Sequence, residues 1–175
     1  MTLNDKYHQV ENILKNDQDQ KHICLFLDFD GVINVFLKED TERYRKAMED
    51  PDSFDFCEKE PIENLNTLCS QFNIDIVISS TWRFSGLLFC QHYLYYHDFK
   101  YTEKVIDTTQ MDWQVVREEE ILNYLIEHPI YSNYIVLDDL DMPLLNKHLV
   151  LTNTFEGFDK EKLEAALQIL KKEKQ

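Results

Sequence analysis

Short runs of consecutive apolar residues mark the predicted strands of this chain. Three runs are rich in β-branched residues and are followed at once by polar side chains: Ile23–Leu27, Ile74–Ile78 and 134–137. Apolar runs of this length that do not alternate with polar residues are typical of strands buried on both faces of a parallel sheet. A weaker run at Leu149–Leu151 predicts one more strand.

Amphipathic segments lie before and between these runs. Apolar residues recur at helical spacing over 5–16, 61–72 and 113–128, which predicts three helices. A last helix is expected over Lys160–Lys172, with Asp159 as its N-cap and lysines near its C-terminus. Because strand and helix alternate, the pattern predicts an α/β fold.

Two segments between these elements are interpreted as caps or flaps over the strand ends. Segment 36–60 is longer than a crossover needs and is dominated by charge, and long loops in compact domains are usually functional. Segment 84–112 begins with many aromatic residues, which a core helix explains better than stacking on a nucleobase or phosphotyrosine. With 175 residues and no linker, we expect one domain over 1–175 with a flap at 36–60.

Composition narrows the function classes. The net charge of -15 argues against an extended nucleic-acid groove or an anionic membrane surface as partner, since both need clustered lysine and arginine. No apolar run reaches the roughly 18 residues of a membrane span, and because residues 1–21 are polar we expect no cleaved secretion signal. The four cysteines form no C-x-x-C pair, so we expect reduced thiols and a cytoplasmic location.

Candidate chemistry lies at the carboxyl ends of the three strong strands, where open α/β sheets bind ligands. These ends carry two acids, then two hydroxyls and an arginine, then two more acids: Asp28 and Asp30, Ser79, Ser80 and Arg83, and Asp138 and Asp139. Each piece alone is more often a helix cap or a turn. The D-x-D spacing also recurs at 17–19, 50–52 and 139–141, so only the combination points to a site.

Together these motifs resemble those of the haloacid dehalogenase (HAD) superfamily of aspartate-nucleophile phosphatases and phosphotransferases. The first HAD motif, D-x-D-G-[TV] after apolar residues, matches Asp28 to Val32, including Gly31. The second, a Ser or Thr closing a strand, falls on Ser79 or the competing Ser80. The third, a basic residue near a helix start, matches Arg117 where lysine is common, and the acidic fourth matches Asp138 and Asp139.

The resemblance covers roughly residues 22–170 and is nearest to small HAD domains with an S-S-x-W-R second motif, including those attached to RNA-repair enzymes. The turn 153–158 before the last helix is also similar to theirs. The resemblance implies a Rossmann-like three-layer sandwich with a central, mostly parallel sheet and a small cap or flap. It also implies a Mg²⁺-dependent phosphatase that works through an aspartyl phosphate.

The resemblance also implies a role for each motif residue. Asp28 would be the nucleophile and Asp30 the general acid and base, with Ser79 and Arg117 binding the phosphoryl group. Mg²⁺ would be held by Asp28, the backbone carbonyl of Asp30 and Asp139, with Asp138 in support. Gly31, Ser80 and Arg83 are candidate substrate-binding residues, although for Arg83 a structural ion pair is favoured.

Several alternatives stay open at this point. The substrate could be a phosphorylated small molecule, a nucleotide or a phosphoprotein, because fold and motif define chemistry and not substrate. A HAD-fold binding or regulatory module with weak or no turnover is the second hypothesis, although the intact Asp30 counts against it. A receiver-like phosphoacceptor domain ranks last, because its acidic pair should precede the phosphoacceptor strand.

Overall fold

A five-stranded sheet in which all strands run parallel forms the centre of the protein in a computed structural model, which describes residues 1–16, 22–51, 54–112 and 114–172. The strand order is β3-β2-β1-β4-β5. The strands are β1 Ile23–Leu27, β2 Ile74–Ile78, β3 Val105–Thr108, β4 Asn133–Asp138 and β5 Leu149–Leu151. The helices are α1 Leu3–Asn16, α2 Glu42–Glu49, α3 Lys59–Gln71, α4 Leu87–Tyr96, α5 Arg117–Glu127 and α6 Lys160–Lys172.

Helices cover both faces of the sheet because successive strand residues point to opposite sides. Leu25 and Leu27 of β1 are fully buried in a core with side chains of α3, α4 and α6. Cys24 and Phe26 of the same strand are fully buried in a second core with α1 and α5. The predicted α/β, Rossmann-like layered fold is confirmed.

The register of β1 with its neighbours places the ends of three strands side by side. Leu27 pairs with Ile78 of β2 on one side and with Leu137 of β4 on the other. The ladder then continues one step further, because Asp28 N donates to Leu137 O (3.0 Å) and Ser79 N donates to Leu27 O (3.0 Å). The residues that follow these strands are therefore fixed by main-chain bonds next to one another.

Strand β3 was missed by the sequence reasoning, and this corrects the interpretation of 84–112 as a cap or flap. Its residues belong to the body of the fold, since β3 is an edge strand paired with β2 and α4 buries Cys90 and Leu94 in the core. The strand has only four residues, and only Val105 of them is buried. A strand with one buried side chain gives almost no hydrophobic signal in the sequence.

The segment predicted as a flap, 36–60, contains the short helix α2, and its last two residues already belong to α3. Thr41 caps α2 by accepting a hydrogen bond from Tyr44 N at 3.1 Å. Residues 56–58 lie against the loop after β1, because Val35 N donates to Phe56 O (2.9 Å) and Glu58 N donates to Ile33 O (3.0 Å). The base of this segment is thus tied to the loop that carries Asp30.

The helix ends differ from the predicted ones by a few residues. Helix α5 begins at Arg117 rather than at residue 113, which lies outside the described residues. Asp159 precedes α6 as expected, and its Oδ1 accepts a hydrogen bond from Lys162 N at 2.9 Å. Among the helices of the described residues, none has the length and apolar character needed to cross a membrane.

Candidate active site

Asp28, Ser79 and Asp138 meet at the carboxyl ends of β1, β2 and β4, and Arg117 approaches them from the first turn of α5. Nη1 of Arg117 donates to Asp28 Oδ2 (2.7 Å) and to Asp138 Oδ2 (2.8 Å). The side chains are almost closed to solvent, with exposed fractions of 14% for Arg117, 7% for Asp28 and 0% for Asp138. One cation therefore bridges two buried carboxylates.

Burial and like charge oppose the ionisation of Asp138. Desolvation, followed by the nearby charge of Asp28, raises the pKa of Asp138 to about 6, although Arg117 acts in the other direction. Burial also disfavours the charge of Arg117, but the attraction of Asp28 and Asp138 is stronger and raises the pKa of the guanidinium. The site thus contains two buried carboxylates and one guanidinium, so a single positive charge faces two acids.

A third acid completes a group that could hold a divalent metal ion. One carboxylate oxygen from each of Asp28, Asp138 and Asp139 lies within 4.8 Å of the others. Asp139 is half-buried, burial raises its pKa, and its Oδ2 accepts a hydrogen bond from Thr154 Oγ1 at 3.0 Å. Three oxygen donors of this kind fit a hard divalent cation.

Gly31 is required at this position by its conformation and by the lack of space for a side chain. Its φ of +77° is a conformation that L side chains rarely adopt. A Cβ at this position would lie 2.3 Å from Asp139 Oδ2. The glycine predicted as a substrate-binding residue thus permits the close approach of the loop after β1 to Asp139.

The carboxylate of Asp30 does not join the acidic group but is held by its own set of partners. Trp82 Nε1 donates to Asp30 Oδ2 at 2.9 Å, and Asn34 Nδ2 donates to Asp30 Oδ1 at 3.0 Å. Tyr93 in turn donates its hydroxyl to Asn34 Oδ1 at 2.7 Å. Both oxygens of Asp30 are thus positioned by donors from the loop after β1 and the segment after β2.

Sequence reasoning gave no role to Asn34, Trp82 or Tyr93, which support Asp30 in this way. Trp82 stood within the motif S-S-x-W-R, but a motif does not show which atom its indole contacts. Tyr93 lies 63 positions after Asp30, and its contact depends on where α4 packs. A polar residue four positions after Asp30 was the only local signal for Asn34.

The two candidate hydroxyls after β2 differ in their surroundings. Ser80 caps the short 3-10 helix Thr81–Ser85, because its side chain accepts a hydrogen bond from Trp82 N at 3.3 Å. Ser79 is fully buried, and its Oγ has no hydrogen-bond partner in the described part of the protein. A buried hydroxyl without a partner is costly, so it points to a missing acceptor or donor such as a ligand oxygen.

Arg83 is directed into the protein. Its guanidinium donates to Glu120 Oε2 (2.7 Å), to Ser80 O (2.7 Å) and to Ser79 O, and its side chain is 6% exposed. These bonds fix the turn that carries both serines to helix α5. In this structure Arg83 is a structural part of the site rather than a free substrate ligand, and Glu120, which the sequence did not single out, is its partner.

Comparison with known proteins agrees with this arrangement. A family model described as "HAD domain in Swiss Army Knife RNA repair proteins" matches residues 24–163 of this chain. The chain therefore belongs to this HAD family, and the resemblance inferred from the motifs is confirmed. No curated protein and no solved structure gives a significant match to the chain. Membership of the family indicates hydrolase chemistry of the phosphatase type and a divalent metal.

Proposed function

We propose that this protein is a Mg²⁺-dependent phosphatase that hydrolyses a phosphomonoester through an aspartyl phosphate on Asp28. The observation that carries the proposal is the pairing of Asp28 with Arg117 beside the buried hydroxyl of Ser79, which has no partner among the described residues. A nucleophilic carboxylate, a fixed cation and a free donor are the parts that phosphoryl transfer needs around phosphorus. Family membership supports the same class of reaction.

Each residue then has a role in the reaction. Asp28 attacks phosphorus, while Arg117 and the Ser79 hydroxyl stabilise charge on the phosphoryl oxygens. Asp30, oriented by Trp82 and Asn34, gives a proton to the leaving oxygen and later takes one from the attacking water. Microscopic reversibility makes the same carboxyl suitable for both steps.

Asp28, Asp138 and Asp139 would hold Mg²⁺, to which the backbone carbonyl of Asp30 would add one more oxygen donor. Bound Mg²⁺ would supply the positive charge that lets a carboxylate approach a phosphate dianion. The raised pKa of Asp138 fits this role, because a cation would relieve the repulsion between two buried acids. Arg117 contacts both carboxylates through a single nitrogen, Nη1, and therefore supplies one positive charge to two acids.

The substrate classes expected from the sequence remain proposals. The family description names RNA repair proteins, which makes a phosphorylated RNA end one candidate beside nucleotides, phosphoproteins and small phosphorylated molecules. The charge of -15 favours a short substrate in a local pocket over a long polynucleotide, because binding along a chain needs many cations.

The test is phosphate release from a panel of phosphorylated metabolites, nucleotides and phosphopeptides, with and without Mg²⁺. Asp28→Asn should abolish release, whereas Asp30→Asn should reduce turnover and leave Mg²⁺ binding nearly intact. Asp141→Asn is a matched control, because Asp141 is an exposed acid near the same strand end but outside the metal group. Activity that is unchanged in Asp28→Asn would exclude the proposed nucleophile.

A further inference from the structure

A pocket of about 450 Å³ opens beside Asp30, and none of the three acids of the metal group lines it. Five aromatic side chains line it: Phe36, Phe54, Phe56, Trp82 and Tyr93. Asp30 and Asn34 form part of its wall, so the pocket adjoins the carboxyl assigned to the proton of the leaving group and one of the residues that orient it. Its volume is within the range of roughly 300 to 1,000 Å³ found for small-molecule sites.

From this arrangement we propose that the pocket binds the leaving group of the substrate and that this group is a nucleoside. The inference rests on the proposed phosphatase function, because it assigns Asp30 to the leaving oxygen. A group that departs with the proton of Asp30 must occupy the space next to that carboxyl, and this pocket is that space. The substrate class is then a nucleoside monophosphate.

The aromatic walls favour a flat ring. Phe36 and Phe56 are 45% and 44% exposed, which leaves apolar surface at the mouth of the pocket that a bound ring would cover. Phe54 and Phe56 contact each other edge to face, with ring centroids 5.0 Å apart, and Trp82 and Tyr93 form a second aromatic pair in the lining, with ring centroids 4.7 Å apart. Aromatic side chains stack on every nucleobase, because each base has a π-face.

The charges of the pocket select against anionic leaving groups. Its charged residues are Asp30 and Asp55, and no basic side chain lines it within the described part of the chain. A second phosphate or a carboxylate on the leaving group would lie near these acids and be repelled. An uncharged nucleoside meets no such cost, whereas a nucleoside diphosphate or an acidic phosphopeptide does.

Asp55 also distinguishes a nucleobase from a simple phenol. Its Oδ1 accepts a hydrogen bond from Cys57 N at 2.9 Å, its Oδ2 lies 3.4 Å from His97 Nδ1, and its side chain is half exposed. An ionised carboxylate offers about four acceptor positions, so Asp55 can accept further hydrogens from an exocyclic amino group of a base. The phenol ring of a phosphotyrosine has no such donor and, being bonded directly to the leaving oxygen, would remain beside Asp30.

Arg43 of α2 holds this wall in place. Its guanidinium donates to Val35 O (2.8 Å) and Phe56 O (2.9 Å), pairs with Glu58, and lies over the Phe54 ring at 5.1 Å from the centroid. Because these donors are used within the protein, Arg43 supports the wall without adding a free cation to it. The segment predicted as a flap thus builds one side of a preformed pocket.

The test compares substrates that differ only in the base. Adenosine 5′-monophosphate and ribose 5-phosphate have the same primary alcohol as leaving group, and adenosine 3′-monophosphate covers the other orientation. Each adenosine monophosphate is compared with the ribose phosphate that carries its phosphate at the same position, and the better of the two should exceed its ribose counterpart in kcat/KM by about fivefold to 150-fold, the range expected for one stacked base. Phe56→Leu should reduce this ratio several-fold, whereas Tyr95→Leu, an exposed aromatic outside the pocket, should not.

Two outcomes of these assays would overturn the inference. Equal kcat/KM for the nucleotides and their ribose counterparts would show that the base is not bound, and a preference for phosphotyrosine that Phe56→Leu removes would assign the pocket to a phenol. If no phosphomonoester is hydrolysed, the proposed phosphatase function fails, and direct binding of adenosine and ribose decides about the pocket. Adenosine should then bind more tightly than ribose and lose this advantage in Phe56→Leu, whereas equal binding would refute the pocket.

Discussion

Replacing Arg117 with methionine tests whether this cation holds two buried acids together. The substitution keeps much of the apolar stem and removes the donor that bridges Asp28 and Asp138. Losing one partner of a buried ion pair can cost about 3 to 5 kcal/mol of stability, because the other charge is left uncompensated. Asp138 can avoid an uncompensated charge by taking up a proton, so the stability lost on removing Arg117 should depend on pH.

The sign of this dependence follows from the direction of the pKa shift. The pKa of Asp138 is raised to about 6 in the folded protein, so the stability that this acid contributes is present at low pH and lost as pH rises through about 6. Without Arg117 the carboxyl of Asp138 stays protonated to a higher pH. The protein then continues to lose stability above pH 6, by about 1.4 kcal/mol per pH unit, until Asp138 ionises. The part of the cost that comes from Asp138 is then close to zero at pH 5 and at most about 3 kcal/mol at pH 8, while the loss of the partner of Asp28 adds to the cost at both pH values.

Thermal unfolding of wild type and Arg117→Met at both pH values measures this difference. For a chain of this size about 3 kcal/mol corresponds to roughly 6 to 12 °C, so the decrease in Tm should be larger at pH 8 than at pH 5 by up to this amount. Millimolar Mg²⁺ should recover part of the loss at pH 8, because a bound cation replaces the missing charge. Arg45→Met, which changes an exposed arginine of α2, is the control. Equal destabilisation at both pH values would refute this reasoning.

Three further substitutions test single contacts of the site. Gly31→Ala should weaken Mg²⁺ binding at least tenfold in calorimetry, since its Cβ would lie 2.3 Å from Asp139 Oδ2 and displace that ligand; unchanged affinity would contradict the assignment. Trp82→Phe removes the indole donor to Asp30, so kcat should fall about tenfold for alkyl phosphates. The fall should be smaller for p-nitrophenyl phosphate, because its leaving group needs little protonation. Equal losses for both substrates would show that Trp82 does not position the acid. Ser79→Ala should lower kcat/KM about tenfold or more while leaving Tm nearly unchanged, because the hydroxyl has no partner within the described protein; a large drop in Tm with full activity would make it structural.

The central strands could be predicted because burial on both faces leaves an unmistakable pattern. The runs Ile23–Leu27 and Ile74–Ile78 are the observed β1 and β2 without a shift, and nine of their ten residues are buried. Strand β3 has an exposed Ile106 and two half-buried polar residues, so nothing in its composition separates it from a loop. The other edge strand, β5, could be predicted because its three residues are all apolar.

The residues that meet at the strand ends could also be proposed from sequence, because parallel strands bring their carboxyl ends to one edge. The sequence does not show which of two neighbouring side chains takes a given role in the site. Ser79 and Ser80 are the same residue type, and only the structure distinguishes them. Ser80 caps a helix, whereas the hydroxyl of Ser79 has no partner among the residues that the structure describes. Trp82, which donates to Asp30, comes from the segment after β2, and Glu120, which accepts from Arg83, comes from α5; these contacts depend on helix packing that no local pattern encodes.

The most direct test of the central claim is chemical trapping of the phosphorylated nucleophile. Acid quench during turnover of an adenosine monophosphate with Mg²⁺, followed by borohydride reduction and peptide mass analysis, converts an aspartyl phosphate into homoserine at its position. We predict this conversion at Asp28 of the wild-type protein and its absence without Mg²⁺. With p-nitrophenyl phosphate, whose leaving group needs little protonation, the conversion should be enriched in Asp30→Asn, whose intermediate lacks a base for hydrolysis. Phosphate release with no modification at Asp28 in either protein, or trapping at another residue, would contradict the proposed mechanism.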